Sequence, residues 1–193
     1  MFNGCTSLTQ APVLPATTLS NGCYYKMFNG CTALTTAPSI LPATTLAESC
    51  YNSMFSDCSS LTQAPALPAT TLADSCYSFM FEGCTSLVQA PELPAKDLTD
   101  RCYQSMFNGC TSLVNAPELP ATTLAQYCYA QMFIGCTKLN YVKALFTTYP
   151  SIGSYMDSWL TNVSSTGTFV KNAAATWTND EAGIPSGWTV QTA

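Results

Sequence analysis

The stretch "TTLAESCYNSMFSDCSSLTQAPALPATTLADSC", residues 44–76, contains three cysteines and then begins again. The dipeptide Met-Phe marks the same point of every repeat and occurs at positions 1, 27, 54, 80, 106 and 132, so the period is 26 residues with one spacing of 27. A period of about 20 to 50 residues indicates an array of stacked units. Because one unit is too small to bury its own apolar face, we expect an α/β repeat protein of the solenoid type.

The first half of each unit predicts an amphipathic helix. Apolar residues recur every fourth position along one stripe, which is widened by two aromatic residues: Leu46, Cys50, Met54 and Cys58, with Tyr51 and Phe55. Such a stripe is typical of a helix that packs on a core. Thr44 or Thr45 is the expected N-cap, and a glycine such as Gly83 is expected in the left-handed conformation at the end.

The second half of each unit, "CSSLTQAPALPA" in residues 58–69, predicts a short strand around Leu61 to Ala64 and then an extended turn through Pro65 and Pro68. Proline donates no hydrogen bond to a neighbouring strand, so the strand must be short. The sequence therefore predicts a short-stranded parallel sheet with one helix per unit of about 26 residues.

The period ends near residue 140, which divides the chain into a repeat domain, 1–140, and a C-terminal α+β capping segment, 141–193. The segment "SIGSYMDSWLTNV" predicts a helix, while "TGTFVKN" and "GWTVQ" predict strands. The helix would place five apolar residues on one face: Ile152, Tyr155, Met156, Trp159 and Leu160. The chain opens inside a unit, so we expect a fragment of a longer array whose open end supports end-to-end self-association.

Composition excludes several classes of function. Only 9% of residues are charged, and the net charge of −5 argues against a nucleic-acid surface. No apolar run approaches the roughly 18 residues of a membrane span, and no signal peptide is visible. The chain has no histidine, which removes the commonest general base and zinc ligand. We therefore expect no catalytic residues, no cofactor, no metal and no membrane insertion.

The 11 cysteines form two series, one early in the expected helix and one after it. Members of the two series lie 8 residues apart, which is about 12 Å along a helix and too far for a disulfide. We interpret them as free, buried thiols that act as small apolar residues. Disulfides between neighbouring units and metal binding remain open alternatives.

The repeat "MFNGCTSLTQAPVLPATTL" resembles a bacterial surface leucine-rich repeat of the BspA-like, or treponemal, type. The resemblance covers residues 1 to about 140 and rests on an F-x-x-C-x-x-L core, present as Phe28, Cys31 and Leu34, as Phe55, Cys58 and Leu61, as Phe81, Cys84 and Leu87, and in later units. It implies a leucine-rich-repeat solenoid that is found on bacterial surfaces or in secreted and phage-borne proteins, and that is assigned to adhesion or ligand binding.

Positions that differ between units are the candidate ligand-binding residues, because variable positions of a rigid repeat usually face solvent. The varying positions hold Gln10, Thr36, Gln63, Gln89 and Asn115 in the strand and Val13, Ala66, Glu92 and Glu118 in the proline turn. Of these, Gln63, Gln89, Asn115, Glu92 and Glu118 are the predicted ligand-binding residues. Simple solvation is the alternative. Two stacked carboxylates could suggest glycosidase chemistry, but nothing else supports it, so an acidic patch is the preferred interpretation.

Two further patterns have a functional and a structural interpretation. Threonine pairs recur once per unit: Thr17 and Thr18, Thr44 and Thr45, Thr70 and Thr71, and Thr122 and Thr123. Such a regular series could match an ice lattice. Helix capping is the simpler explanation, and Lys96 and Asp97 interrupt the series. The C-terminal segment contains five aromatic residues of interest: Trp159, Trp177, Trp188, Tyr149 and Tyr155. They could form a platform on which sugar rings stack, although a role in the core is the preferred interpretation.

The hypothesis with most support is a non-enzymatic scaffold that binds a protein or a glycan and belongs to a bacterial or phage surface protein. A structural spacer whose function lies on other modules is the main alternative, and an ice-binding threonine face is a third. Localisation at the cell surface or in the secreted fraction follows from the resemblance alone.

Overall fold

A computed structural model of the chain describes residues 1–147, 155–179 and 183–193. Four strands form one sheet in chain order, and each pair of neighbours is parallel: β1 (Asn115–Leu119), β2 (Tyr141–Ala144), β3 (Gly167–Lys171) and β4 (Trp188–Thr192). β3 and β4 fall on the predicted strands "TGTFVKN" and "GWTVQ". The prediction of a parallel sheet of short strands is therefore confirmed.

Outside β1–β4, the strand-type pairing between neighbouring units is reduced to single parallel bridges. These join equivalent positions of adjacent units: Gln10 and Thr36, Ile40 and Ala66, Thr45 and Thr71, Gln63 and Gln89, and Asp97 and Thr123. The strand predicted around Leu61 to Ala64 is thus a single bridge at Gln63. Pro65 has no N–H group and interrupts the pairing, which resumes as a second single bridge at Ala66.

The prediction of one helix per unit is wrong. The segment 47–58 and its equivalents in other units, which we call the turn segment, is a series of overlapping four-residue turns. The Cys50 N–H donates to the Ala47 carbonyl at 3.2 Å. The same bond, from an N–H group to the carbonyl three residues earlier, recurs at every second residue of the segment. Every fourth residue has a positive φ, which is 53° at Ser49, 54° at Ser53 and 59° at Asp57.

The alternate N–H groups of the turn segment donate to the next unit instead. The Tyr51 N–H donates to the Cys76 carbonyl at 3.0 Å, and the Phe55 N–H donates to the Met80 carbonyl at 2.9 Å. Positive φ is costly for residues other than glycine, so these bonds between units must hold the chain in that conformation. The turn segment is therefore stable only as part of the stack.

The strict spacing of four explains the failed helix prediction. An α-helix has 3.6 residues per turn, so residues placed every fourth position drift around its surface. A backbone conformation that repeats every four residues places the apolar residues of this pattern on one side of the segment. The side chains that the pattern assigned to one helical face do face the core, and Cys50, Met54 and Cys58 have no exposed surface.

Two columns of aromatic rings run through the core of the stack. One phenylalanine per unit stacks on the next at ring-centroid distances of 5.4–5.7 Å, from Phe2 to Phe133. One tyrosine per unit does the same at 5.7–5.9 Å, from Tyr24 to Tyr129. Each unit therefore buries its aromatic residues against identical residues of its neighbours, which accounts for the sequence repeat.

The C-terminal segment adds another turn segment to the stack. The Phe133 N–H donates to the Trp159 carbonyl at 2.9 Å, and Ser158 and Asn162 have positive φ four residues apart. The helix predicted for "SIGSYMDSWLTNV" is therefore wrong for residues 156–163, for the same reason, while Tyr155 is helical and Ile152 lies outside the described residues. Trp159 is buried under Phe133. The capping role of 141–193 stays a prediction.

Among the residues that the structure describes, no helix is long and apolar enough to cross a membrane.

Candidate functional site

Three of the predicted ligand-binding residues stand in a row on the surface of the stack. Gln63 and Gln89 are joined by a parallel bridge, and Asn115 opens β1 at the equivalent position of the next unit. All three are exposed, and their side-chain amides make no hydrogen bond to any described residue. We call these three residues the amide row.

The amide row lines a groove that runs along the stack. Two overlapping cavities of about 470 and 690 Å³ share Gln63 and Gln89, with Ala90 and Pro91 as wall residues. A third cavity of about 320 Å³ adjoins them through Glu92 and includes Glu118. All five predicted ligand-binding residues therefore line one continuous surface, the amide groove.

Small and rigid residues shape this groove. Each unit contributes Ala-Pro directly after the amide position, as in Ala64-Pro65 and Ala90-Pro91. Alanine leaves space beside the amides, and proline fixes the backbone and removes a donor. The groove therefore presents polar side chains on a rigid and mostly apolar floor.

The two carboxylates of the groove differ in their partners. Glu118 accepts a hydrogen bond from Lys143 at 2.9 Å in an ion pair, and this contact raises the pKa of the lysine. Glu92 has no ion-pair partner among the described residues. The predicted acidic patch is thus half neutralised, and one uncompensated carboxylate remains in a groove that is otherwise uncharged.

The sequence prediction missed three exposed residues at this site. Val88 and Val114, which are 52% and 37% exposed, line the groove beside the amides. Tyr141 is 37% exposed and pairs in register with Asn115 across β1 and β2, so it continues the amide row. Tyr141 lies one period after Asn115, which is a signal that the sequence does contain. The predicted capping segment begins at this tyrosine, so the prediction did not include it in the row.

The threonine pairs form a second exposed row. Thr45 and Thr71 are bridged and exposed, and Lys96 and Asp97 interrupt the row one unit further on. The prediction that these threonines cap helices is wrong, because the turn segment that follows them is not a helix. The Thr122 hydroxyl donates to the Lys96 carbonyl at 3.4 Å, which ties neighbouring units together.

All eleven cysteines are free thiols, of which nine are buried and two, Cys5 and Cys23, are exposed. Five thiols of the series after the turn segment donate to a phenylalanine carbonyl one unit away at 3.0–3.1 Å: Cys31, Cys58, Cys84, Cys110 and Cys136. Burial raises the pKa of Cys58 and of Cys136 to about 12. These neutral thiols therefore serve as core residues that link the units.

No cluster of three or more histidine, cysteine or acidic side chains suited to a metal ion occurs in the described part of the chain.

The C-terminal tryptophans belong to the core. Trp159 is fully buried and donates to the Gly183 carbonyl at 2.9 Å, and Trp188 is 7% exposed and donates to the Ser164 carbonyl at 2.8 Å. Trp177 packs face to face on Trp159 at 5.7 Å. Trp159 and Trp188 are buried, Trp177 is partly buried against the core, and Tyr149 lies outside the described residues.

Comparison with models of known protein families, with curated proteins and with solved structures finds no match to this chain.

Proposed function

We propose that the protein is a non-enzymatic interaction scaffold that binds a protein or a glycan along the amide groove. The observation that carries this proposal is the contrast between the two sides of each unit. The core positions repeat nearly unchanged, while five residues at exposed positions that vary along the chain line one groove: Gln63, Gln89, Asn115, Glu92 and Glu118. A rigid array with a variable surface is the arrangement that repeat proteins use to bind partners.

The wider identity of the chain rests on its resemblance to BspA-like repeats. We infer that the stacked units are a leucine-rich-repeat solenoid and that the protein belongs to a bacterial or phage surface, as a secreted or cell-surface adhesion protein. The hydrogen bonds between equivalent positions of neighbouring units support the solenoid. End-to-end association through the first unit stays a prediction, which light scattering at high protein concentration would test.

A pair of matched triple variants tests the proposed function. The first is Gln63→Ala, Gln89→Ala and Asn115→Ala in the groove, and the second is Thr45→Ala, Thr71→Ala and Thr123→Ala on the threonine row. Binding of each variant to immobilised matrix proteins and glycans is measured by biolayer interferometry. Three lost hydrogen bonds of about 0.5–1.5 kcal/mol each should weaken binding by at least about tenfold in the groove variant.

The threonine variant should bind like the parent protein. If the groove variant kept full affinity while the threonine variant lost it, the groove would not be the binding surface. If the parent protein bound nothing in the panel, the spacer alternative would be favoured. A freezing-point depression that disappears in the threonine variant would instead support the ice-binding alternative.

A further inference from the structure

We propose that the amide groove binds a neutral, extended β-1,4-linked polysaccharide whose chain runs along the stack with one sugar ring per unit. This inference rests on the proposed function and names the class of ligand for the same groove. It follows from the spacing of the amide row, from its free hydrogen-bonding groups and from the tyrosine that ends it.

The spacing of the row favours a glycan over a peptide. Gln63, Gln89 and Asn115 occupy equivalent positions of adjacent units, and backbones paired in this way lie about 4.8 Å apart. A β-1,4-linked pyranose chain is a straight ribbon in which each ring advances by nearly that length and is turned over relative to the ring before it, so the same edge of the sugar meets every second unit. An extended peptide advances about 3.3 Å per residue and presents the same face about every 6.6 Å, so it would lose register after one unit.

The chemistry of the row matches hydroxyl groups. Each side-chain amide offers an acceptor oxygen and two N–H donors, and those of Gln63, Gln89 and Asn115 are unused by the described residues. Neighbouring hydroxyls of a sugar both donate and accept, so one amide can bind two of them. Glu92 is the remaining uncompensated charge, and its sign disfavours acidic glycans.

Apolar surface for the faces of the sugar rings lies beside the amides. Val88 and Val114 are exposed in the groove, and Tyr141 follows Asn115 in register with 37% of its surface exposed. A tyrosine ring combines an apolar face with a polar tip, which suits the C–H face of a pyranose. The row from Gln63 to Tyr141 therefore provides four consecutive sugar positions.

Isothermal titration calorimetry with cellohexaose, a β-1,4-linked glucose hexasaccharide, tests the proposal, and maltohexaose, its curved α-1,4-linked isomer, is the control. We expect cellohexaose to bind and maltohexaose to bind at least about tenfold more weakly. Within the β-1,4-linked series, affinity should rise up to four sugars and then level off. Gln89→Ala should weaken binding by about threefold to tenfold, and Tyr141→Ala by about tenfold.

Gln126→Ala is the matched control variant, because Gln126 is an exposed glutamine outside the groove and its substitution should leave affinity unchanged. Absence of cellohexaose binding at millimolar concentration, or equal binding of the two isomers, would overturn the glycan assignment. The proposed scaffold function would still stand in that case if a protein partner lost affinity in the triple groove variant. Cellohexaose binding that survives in that triple variant would overturn both proposals.

Discussion

Raising the pH above about 9 under reducing conditions is expected to unfold the stack cooperatively. Burial raises the pKa of Cys50 to about 11 and of Cys58 and Cys76 to about 12, from an ordinary value of 9.0. An unfolded chain ionises its thiols near pH 9, so the stability that these neutral thiols provide is complete below that pH. It is lost as the pH rises toward the folded-state values.

The expected effect is large because many thiols contribute. Each buried thiol lowers the free energy of unfolding by about 1.4 kcal/mol per pH unit above 9. The eight thiols whose pKa burial raises strongly therefore remove on the order of 10 kcal/mol per unit, which is comparable with the roughly 5–15 kcal/mol that stabilises a typical domain. Burial also raises the pKa of Tyr77, and buried tyrosines add to the effect above about pH 10.

Urea denaturation followed by circular dichroism at pH 7 to 11 measures this loss. Cys76→Ala should reduce the slope of the free energy of unfolding against pH by about 1.4 kcal/mol per unit, since one buried thiol is removed. Cys5→Ala is the matched control, because it removes an exposed thiol and no buried one. A protein that stays folded through pH 11, or equal slopes in the two variants, would contradict the buried thiol columns.

Phe81→Ala is expected to lower the free energy of unfolding by about 3–5 kcal/mol. Phe81 has no exposed surface and lies between Phe55 and Phe107, with ring centroids 5.7 Å from each. Its removal leaves a cavity in the centre of the column and separates the two halves of the stack. Because each unit contacts only its neighbours, the loss at one interface reduces the cooperativity of the whole array.

Phe2→Ala is the control for this variant. Phe2 occupies the same column but is only partly buried and stacks on Phe28 alone, at 5.5 Å. Its substitution should cost less than half as much in urea denaturation. Equal losses in the two variants would show that the phenylalanines do not form a continuous column through the stack.

Much of the architecture could be predicted from the repeat. The period of 26 residues predicts stacked units, and the parallel bridge between Gln63 and Gln89 and the parallel sheet β1–β4 agree with it. The positions that vary between units include the five predicted groove residues. These five residues could be found because substitution is tolerated at exposed positions, whereas the core positions are held constant by identical partners above and below.

The local conformation of the turn segment could not be predicted from hydrophobic periodicity. A spacing of four residues fits one side of a helix over a short length, and the residues that take positive φ, such as Ser49, Ser53 and Asp57, are common on helix surfaces as well. The hydrogen bonds that decide the outcome run to the next unit, as from Tyr51 to Cys76. The pattern of residues within one unit does not show these hydrogen bonds to the next unit.

The candidate site was incomplete for a related reason. Tyr141 falls one period after Asn115, but the repeat motif ends before it, and only the register of β1 and β2 joins it to the row. Similarly, the pairing of Glu118 with Lys143 crosses from the last regular unit into the following segment. Both contacts depend on the sheet continuing beyond the sequence repeat.

The amide row stands on a stack whose interior contains continuous columns of free thiols. Alkylation of the native protein under non-reducing conditions, with each site mapped by mass spectrometry before and after unfolding, tests it most directly. We expect Cys5 and Cys23 to react in the folded protein and the other nine cysteines to react only after unfolding. Thiols that remain missing after unfolding, or rapid labelling of Cys76 or Cys84 in the folded protein, would contradict it.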